Sequence, residues 1–248
     1  MMKFVNQVAI VTAAAGAGIG QATARSLAAE GATVIVSDRH EKRTKEVADS
    51  IHNIYHVPTL PVICDVTDKQ QIEDMVRRTI DHYGRIDILV NNAGFDVFKP
   101  LLEMDLGDID RVINVNLMGM VYITRAVLPW MVQKKSGRIV NLSSIAAYSP
   151  DSGDSATYAA AKAAVQAFTR SLAREVGQYG IRVNAIAPSV TLNPFLEKQM
   201  PANSIAEITK KMSLGALQPE DQAKAILFLL SDDAALISGA TLNVTAGY

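Results

Sequence analysis

Short runs of consecutive apolar residues, many of them β-branched, recur along the chain and alternate with longer amphipathic segments. Continuous apolarity, rather than strict alternation, is typical of strands that are buried on both faces of a parallel sheet. The runs cover residues 8–12, 32–37, 60–66, 86–90, 137–143, 181–187 and 240–245. The pattern therefore predicts a parallel sheet with one strand for each run.

The segments between these runs carry apolar residues at helical spacing. They include residues 19–30, 68–83, 110–135, 155–177 and 219–231. Gly31, Gly84 and Gly177 stand where a helix is expected to end in a residue with positive φ. Alternating strands and helices predict an α/β fold, a doubly wound sheet that binds its ligand at the carboxyl ends of the strands.

The segment 188–214 departs from this regular pattern. It contains three prolines and only weak helical periodicity. Such a segment beside a regular sheet is typical of a loop that covers a binding site. We expect one domain over residues 1–248, with 188–214 as a mobile flap above the substrate.

Composition narrows the functional classes. Of 248 residues 49% are hydrophobic, the formal net charge is −1, and no block of Lys or Arg occurs, so neither nucleic acid nor an anionic membrane is expected as a partner. No window offers the roughly 18 uninterrupted apolar residues of a membrane helix. The single cysteine, Cys64, excludes an internal disulfide and leaves a structural zinc site without ligands. We expect a cytoplasmic protein that binds a small molecule, with Cys64 packed in the core or, as the alternative, acting as a catalytic thiol.

A glycine-rich turn joins the first strand to the first helix and contains Gly16, Gly18 and Gly20. Bare N–H groups at a helix N-terminus can approach a pyrophosphate, whose charge the helix dipole favours. Asp38 follows the second strand, where a carboxylate can accept hydrogen bonds from the adenosine ribose hydroxyls; the alternative is that it caps the next helix. Asp38 would repel a 2′-phosphate, whereas Arg39 could bind one. We therefore predict NAD as the cofactor and leave NADP open.

Two further strand ends carry candidate cofactor contacts. Asp65 follows the third strand and could accept a hydrogen bond from the adenine amine. The sequence NNAG follows the fourth strand, where Asn91 and the tight Ala93 and Gly94 turn are expected to line the cofactor cleft.

The sequence YAAAK places Tyr158 and Lys162 four residues apart in a predicted helix, so both side chains lie on one face. A free phenol has a pKa near about 10, and an adjacent ammonium lowers it by favouring the phenolate. Lowering it by about three units requires roughly 4 kcal/mol of differential stabilisation. The pair therefore indicates a tyrosine that exchanges a proton near neutral pH. The alternative is a packed ring beside a solvated lysine.

Taken together, these motifs resemble the short-chain dehydrogenase/reductase family over essentially the whole chain. The matching features are the Gly16 to Gly20 loop, Asp65, NNAG, Asn116 in NVNLMG, the serine pair in NLSS, YAAAK and the closing GATLNVTAG. The resemblance implies a Rossmann-type sheet, nicotinamide-dependent oxidoreduction and a homotetramer built on the two long helices. It further implies cofactor contacts from Thr12, Ile19, Val66, Asn92, Pro188, Val190 and Thr191, in addition to Tyr158 and Lys162.

Three positions depart from the family pattern. Counting back from Gly20 puts Ala13 and Ala14 where the family has Thr and Gly, unless Thr12 is the anchor and the loop is one residue longer. The family serine corresponds to Ser144, with Ser143 as the alternative. After the sixth strand, the Pro-Gly of the family is Pro188 and Ser189, and the family threonine aligns with either Thr191 or Asn193.

The resemblance assigns roles to four catalytic residues. Tyr158 exchanges the hydroxyl proton and Lys162 supplies a positive charge, while Ser144 hydrogen-bonds the substrate oxygen without forming a covalent bond. Asn116, in a long helix where asparagine is unfavourable, could orient Lys162 through a water or bend the helix locally.

Weaker signals concern the substrate. Phe95, Val97 and Phe98, with Leu192, Phe195 and Leu196 of the flap, suggest an apolar pocket. The stretch from Phe95 to Pro100 resembles that of family members acting on alicyclic hydroxyacyl-CoA. Lysines that could meet a CoA phosphate, unless they are simply solvated, are Lys99, Lys198, Lys210 and Lys211.

We therefore expect an enzyme that acts on a secondary alcohol on a ring or acyl chain. The alternatives are a 3-oxoacyl carrier-protein reductase, a sugar, polyol or steroid dehydrogenase, and a non-catalytic nucleotide-binding regulator.

Overall fold

The computed structural model describes residues 2–149, 155–194, 196–199 and 202–248. Its sheet has seven strands, all parallel, in the order β3-β2-β1-β4-β5-β6-β7. The strands are β1 (Val8–Thr12), β2 (Thr33–Asp38), β3 (Thr59–Ile63), β4 (Ile88–Asn91), β5 (Gly137–Leu142), β6 (Ile181–Pro188) and β7 (Thr241–Val244). Every predicted strand is confirmed. The chain changes direction across the sheet between β1 and β4, which opens a crevice at their carboxyl ends.

Helices connect the strands and cover both faces of the sheet. They are α1 (Ile19–Ala29), α2 (Glu41–Tyr55), α3 (Lys69–Tyr83), α4 (Leu106–Ile113), α5 (Gly119–Lys134), α6 (Ala156–Val176), α7 (Leu196–Gln199), α8 (Ala202–Lys210) and α9 (Pro219–Leu230). The fold is thus the doubly wound Rossmann-type sheet that the sequence predicts.

Two hydrophobic clusters lie on opposite faces of the sheet, as the alternation of side chains along a strand requires. In β1, Ala9 and Val11 pack with α1, α2 and α9, whereas Val8 and Ile10 pack with α3, α5 and α6. The central strands are therefore buried on both faces, which is why their sequences read as continuous apolar runs.

The predicted glycine positions are confirmed at two helix ends and wrong at the third. Gly31 and Gly84 have φ values of +89° and +68°. Gly177 is helical with φ −58°, because the chain continues into a 3₁₀ turn at Gly177–Tyr179. The left-handed residue is Gly180, with φ +69°, where a Cβ atom would lie 2.7 Å from the carbonyl oxygen of Lys135. The left-handed residue is needed only where the chain turns into β6.

The long helix predicted over residues 110–135 is interrupted. A π-helical turn at Asn114–Met118 separates α4 from α5. By length and composition, Leu106–Lys134 could cross a membrane, with 39% of its most apolar window buried in the protein. Here α5 packs its apolar face on the sheet, and Gly119 allows a close approach, since a Cβ atom there would lie 2.7 Å from the carbonyl oxygen of Val66. Part of the apolar surface of α5 is therefore buried by packing on the sheet.

The predicted flap contains two short helices, α7 and α8, and Thr191 pairs with Leu217 in an isolated parallel bridge at its base. Phe195, Met200 and Pro201 lie outside the described residues. The segment follows directly on β6, so it lies beside the carboxyl ends of the strands.

Candidate active site

The turn between β1 and α1 shows which of its residues correspond to the threonine and glycine of the family pattern. Ala13 has φ +50°, the left-handed conformation that favours glycine. Ala13 therefore takes the place of the family glycine, Thr12 is the anchor, and the loop is one residue longer. Gly18 is the N-cap of α1 and makes no side-chain cap, which leaves the first turn open to an anion.

Thr12 lies behind this turn and ties it to the NNAG sequence. Its hydroxyl accepts hydrogen bonds from the backbone N–H groups of Asn92 and Ala93, at 2.9 and 3.1 Å. The Asn92 amide returns bonds to the carbonyl oxygens of Thr12 and Ala13, at 2.9 and 3.2 Å. At Gly20 a Cβ atom would lie 2.6 Å from the Ala13 carbonyl oxygen and would also strike the Asn92 amide. Thr12, at 1% exposure, therefore supports the loop from inside the protein.

Asn91 does not lie where the sequence analysis places it. It is buried, and its amide donates to Oγ1 of Thr124 at 3.0 Å and to Oδ1 of Asn141 at 2.9 Å. Strand alternation turns Asn91 into the interior, so Asn92 is the residue of the pair that lines the cleft.

A cavity of about 960 Å³ lies at the carboxyl ends of β1, β2 and β4. It is lined by most of the predicted cofactor residues, namely Gly16, Gly18, Ile19, Gly20, Asp38, Arg39, Asp65, Val66, Asn92, Ala93, Gly94 and Tyr158. Arg43 also lines it and was missed by the sequence analysis. Arg43 lies in the first turn of α2, only four residues after Arg39 in the sequence, and this proximity is the signal that could have found it.

The two predicted carboxylates of this cavity accept hydrogen bonds from neighbouring loops and turns. Asp38 accepts from the N–H groups of Ala15 at 3.2 Å and of His40 at 3.1 Å. His40, not Asp38, is the N-cap of α2, so the capping alternative for Asp38 does not hold. Asp65 accepts from the backbone and hydroxyl of Thr67, at 2.9 and 2.7 Å, both through the same oxygen.

Cys64 also lines the larger cavity but is only 2% exposed. Burial raises the pKa of its thiol to about 12, and the nearby carboxylate of Asp65 adds to the shift. The prediction that Cys64 packs in the core is therefore confirmed, and its burial and raised pKa do not favour a catalytic thiol.

Tyr158 and Lys162 lie on the same side of α6 and line a second, smaller cavity of about 220 Å³. The Lys162 nitrogen is 5.4 Å from the centre of the Tyr158 ring and donates a 2.8 Å hydrogen bond to the carbonyl oxygen of Leu142. Lys162 is only 3% exposed. A solvated lysine is therefore ruled out, and the ammonium is fixed beside the phenol.

The two candidate serines differ in the hydrogen bonds they make. Ser143 donates to the carbonyl oxygen of Lys162 at 2.9 Å and accepts from the amide of Gln166. Ser144 accepts a 3.1 Å bond from the N–H of Ala146, a bond that does not use its hydroxyl hydrogen. Both serines line the smaller cavity, but only Ser144 keeps its hydrogen for a ligand oxygen.

Asn116 lies in the π-helical turn that separates α4 from α5. Its amide nitrogen donates to the carbonyl oxygens of Val112 at 2.9 Å and of Phe95 at 2.7 Å. Among the residues that the structure describes, its buried Oδ1 has no hydrogen-bond partner. A Cβ atom at Gly94 would lie 2.7 Å from this oxygen and 3.2 Å from the Lys162 nitrogen. Asn116 and Lys162 therefore approach the same glycine.

The segment after β6 forms another wall of the smaller cavity. Pro188, Ser189, Val190, Thr191 and Asn193 all line it. The hydroxyl of Thr191 donates to the Ser189 carbonyl at 3.1 Å and accepts a 3.2 Å bond from the buried amide of Gln222. Both candidates for the family threonine, Thr191 and Asn193, are thus at the cavity.

The apolar wall of the smaller cavity differs in part from the predicted one. Phe98 and Leu196 line it as expected, whereas Phe95 and Val97 line the larger cavity. Phe195 lies outside the described residues. Ile208 of α8 and Tyr248 also line it, and no local signal in the sequence pointed to either.

Two of the candidate phosphate-binding lysines contact side chains of the protein itself. Lys99 pairs with Asp108 at 3.3 Å, and the Lys211 nitrogen lies 5.8 Å from the centre of the Tyr248 ring. Among the described residues, no group of three or more His, Cys, Asp or Glu could hold a metal ion.

A glycine turn lies at the switch point of this parallel sheet, and a tyrosine, a buried lysine and a serine line one cavity. Together these features define a dinucleotide-binding oxidoreductase. Residues 13–248 match the family described as enoyl-(acyl carrier protein) reductase. The chain belongs to the short-chain dehydrogenase/reductase family and is an oxidoreductase that acts on hydroxyl or keto groups.

Two relatives act on ring compounds, to judge from their names. The chain is 40% identical over 247 residues to cis-4-hydroxycyclohexanecarboxylate dehydrogenase of Sinomonas cyclohexanicum, covering 99% of this chain and 97% of the relative. It is 39% identical over 241 residues to (5R,7aS)-5-hydroxy-7a-methyl-1-oxo-2,3,5,6,7,7a-hexahydro-1H-indene-carboxyl-CoA reductase of Mycobacterium tuberculosis, covering 96% and 92%.

A solved structure extends the likeness to three dimensions. It is a 7α-hydroxysteroid dehydrogenase in complex with NADH and 7-oxoglycochenodeoxycholic acid, with a TM-score of 0.93 and 32% identity. The match covers 99% of this chain and 95% of that one.

Proposed function

We propose that this protein interconverts a secondary alcohol and a ketone on a ring, in a substrate that also carries a carboxylate or a CoA thioester, with NAD as cofactor. The observation that carries the proposal is the buried Lys162 ammonium held 5.4 Å from the Tyr158 ring in the wall of a cavity that Ser144 also lines.

The residues of the larger cavity fit a dinucleotide. The uncapped first turn of α1 would hold the pyrophosphate, Asp38 the adenosine ribose, and Asp65 the adenine. The nicotinamide, when bound, supplies the hydride acceptor or donor. Asp38 favours NAD because its charge repels a 2′-phosphate, whereas Arg39 and Arg43 would attract one. We propose NAD as the preferred cofactor because the Asp38 carboxylate would accept hydrogen bonds from the ribose hydroxyls, and we keep NADP as the alternative because of the two arginines.

Each proposed catalytic group has a separate role in the transfer of one proton. Tyr158 takes the hydroxyl proton in oxidation and returns it to the ketone oxygen in reduction. Lys162 stabilises the phenolate by its charge. Ser144 donates its hydroxyl hydrogen to the substrate oxygen and holds it toward Tyr158. Asn116 holds the loop that follows Gly94 through its hydrogen bond to the Phe95 carbonyl oxygen.

The shape of the smaller cavity supports a ring substrate. Its polar end carries Ser144 and Tyr158, and its apolar wall carries Phe98, Leu196 and Ile208. Apolar side chains around a few oriented polar groups suit a carbocycle with one reacting oxygen. The names of the cyclohexane and hexahydroindene relatives favour the same class.

We further propose a homotetramer formed through the long helices and a cytoplasmic location, consistent with a single reduced cysteine.

The experiment measures the absorbance of reduced nicotinamide when purified protein receives NAD or NADP and a panel of alcohols. The panel contains cyclohexanol carboxylates, their CoA thioesters, hydroxysteroids, 3-hydroxyacyl thioesters and polyols. We expect the highest kcat/KM for a ring alcohol with NAD, and preference for NADP after Asp38→Ser. Cofactor binding without turnover of any panel member, unchanged in Tyr158→Phe, would instead indicate a nucleotide-binding regulator.

A further inference from the structure

Asp96 lies three residues beyond the Ala93 turn in the loop after β4, and neither the motifs nor the proposed chemistry gives it a role. It is a carboxylate only 7% exposed, and it lines both cavities. Burying an unpaired carboxylate costs free energy, so the hydrogen-bond partners of Asp96 indicate its role.

Its partners lie at the start of the catalytic helix. One carboxylate oxygen accepts the Ser155 hydroxyl at 2.6 Å, and the other accepts the Ser155 backbone N–H at 2.9 Å. The first oxygen also accepts the N–H of Val97 at 2.7 Å. Bonds this short to an ionised acceptor are stronger than neutral ones.

Ser155 is the N-cap of α6, and its hydroxyl oxygen accepts the backbone N–H of Tyr158 at 3.2 Å. The Ser155 hydroxyl donates its hydrogen to Asp96. Its oxygen lone pairs are thereby turned toward the Tyr158 N–H, from which the oxygen accepts a bond. A chain of hydrogen bonds thus runs from Asp96 through Ser155 to the backbone of Tyr158. The negative charge also lies at the N-terminus of α6, where the helix dipole favours it.

The loop that carries Asp96 is fixed from its other side as well. The amide of Asn116 holds the carbonyl oxygen of Phe95 at 2.7 Å. Residues 95 and 96 therefore connect the π-helical turn beside Gly94 to the first turn of α6.

We propose that Asp96 is a positioning residue, which sets the Tyr158 hydroxyl against the Gly94 side of the cofactor cleft by orienting the Ser155 cap. The inference rests on the proposed role of Tyr158. A residue that only stabilised the fold would change the amount of folded protein, whereas a positioning residue changes the proton-transfer step in the folded enzyme.

The test compares Asp96→Asn, Ser155→Ala and the double variant, using the best alcohol of the panel above. Asp96→Asn keeps the shape of the side chain but replaces one acceptor oxygen with an NH₂ group. That donor then faces a donor of Ser155, so one of the two bonds is lost. We expect kcat to fall about 10- to 100-fold with KM for NAD within about twofold, since small displacements of a catalytic group cost rates of this order. The solvent deuterium isotope effect on kcat should rise, because proton transfer becomes slower than the other steps. Ser155→Thr, which keeps the hydroxyl, should recover most of the loss relative to Ser155→Ala.

The control is Asp105→Asn, an exposed N-cap aspartate of α4 that accepts the N–H of Asp108 at 2.7 Å. It should leave kcat and the isotope effect unchanged. The double variant should be no slower than the slower single variant, because both changes break the same chain of bonds. Multiplicative losses would overturn the inference.

A readout without substrate is hydrogen exchange of the first-turn amides of α6, which should become about tenfold faster in Asp96→Asn and not in Asp105→Asn. If Tyr158→Phe abolishes turnover while Asp96→Asn matches the wild type in rate, isotope effect and exchange, the inference fails alone. If Tyr158→Phe retains full turnover, the proposed function fails, and the exchange data still decide whether Asp96 orders the helix start.

Discussion

The side-chain nitrogen of Lys162 lies 5.4 Å from the centre of the Tyr158 ring, one helical turn along α6. Its hydrogen bond to the Leu142 carbonyl at the end of β5 fixes the lysine to the sheet. The sheet and the helix thus hold the charge and the phenol in one arrangement before any substrate binds, and so little reorganisation is needed during the reaction.

Removal of the phenol hydroxyl tests this arrangement directly. Tyr158→Phe should lower kcat by about 10² to 10⁴, the usual contribution of a positioned acid or base, because it removes the group proposed to exchange the proton. The dissociation constant for NAD, measured by fluorescence titration, should change little. The matched control is Tyr179→Phe, at a tyrosine 36% exposed beyond the end of α6, which should retain full activity. A kcat near wild type in Tyr158→Phe would contradict the assignment.

Gly94 is expected to tolerate no side chain. Gly94→Ala would bring a Cβ atom within 2.7 Å of Asn116 Oδ1 and 3.2 Å of the Lys162 nitrogen. Both groups must move, so kcat should fall at least about tenfold, as for other small displacements at a catalytic site. Gly177→Ala is the control, since Gly177 is helical and no atom lies within 4 Å of the added Cβ. Equal activity of the two variants in the same assay would refute the steric argument.

Cys64 should resist thiol reagents in the folded protein. Its pKa, raised to about 12 by burial, keeps the nucleophilic thiolate scarce at pH values well below 12. We expect no stoichiometric reaction with a disulfide reagent at neutral pH and complete reaction after unfolding in guanidinium. The reaction of the folded protein should speed up as the pH rises. Rapid modification of folded protein at neutral pH would show that the thiol is exposed.

Asp87 should contribute strongly to stability, far from the active site. The carboxylate is buried, accepts two bonds from Arg85 at 2.8 and 2.9 Å and one from the Val8 N–H at 2.9 Å, and also pairs with Lys134. Asp87→Ala leaves these donors unpaired and should lower the free energy of unfolding by about 3 kcal/mol. Urea denaturation measures the loss. The control Asp74→Ala removes an exposed pair with Arg77 and should leave stability unchanged. A loss at Asp87 no larger than at Asp74 would contradict the prediction.

Short-range pattern determined much of this fold. Buried parallel strands are apolar on both faces, so all seven could be read directly from runs of β-branched residues. The Tyr158 and Lys162 pair was equally readable, because helical spacing alone puts them on one face. Gly177 shows the limit of such reading, since only the course of the chain into β6 showed that Gly180 takes the left-handed conformation.

The anchor of the glycine loop and the exact lining of the cavities depended on the tertiary structure. The φ of Ala13 fixed Thr12 as the anchor, and strand alternation turned Asn91 inward and left Asn92 at the cleft. The choice of Ser144 over Ser143 rested on which hydroxyl hydrogen is already donated.

The sequence by itself determined the fold class, the edge of the sheet that carries the glycine turn, and the pairing of Tyr158 with Lys162, because each is encoded in residues close together along the chain. Only the tertiary structure brought Asp96 to Ser155 and placed Ile208 and Tyr248 in the wall of the smaller cavity. These contacts join residues tens of positions apart, through bonds and packing that have no local period. Local patterns therefore define the chemistry, while long-range packing decides how it is aligned and which substrate surface it meets.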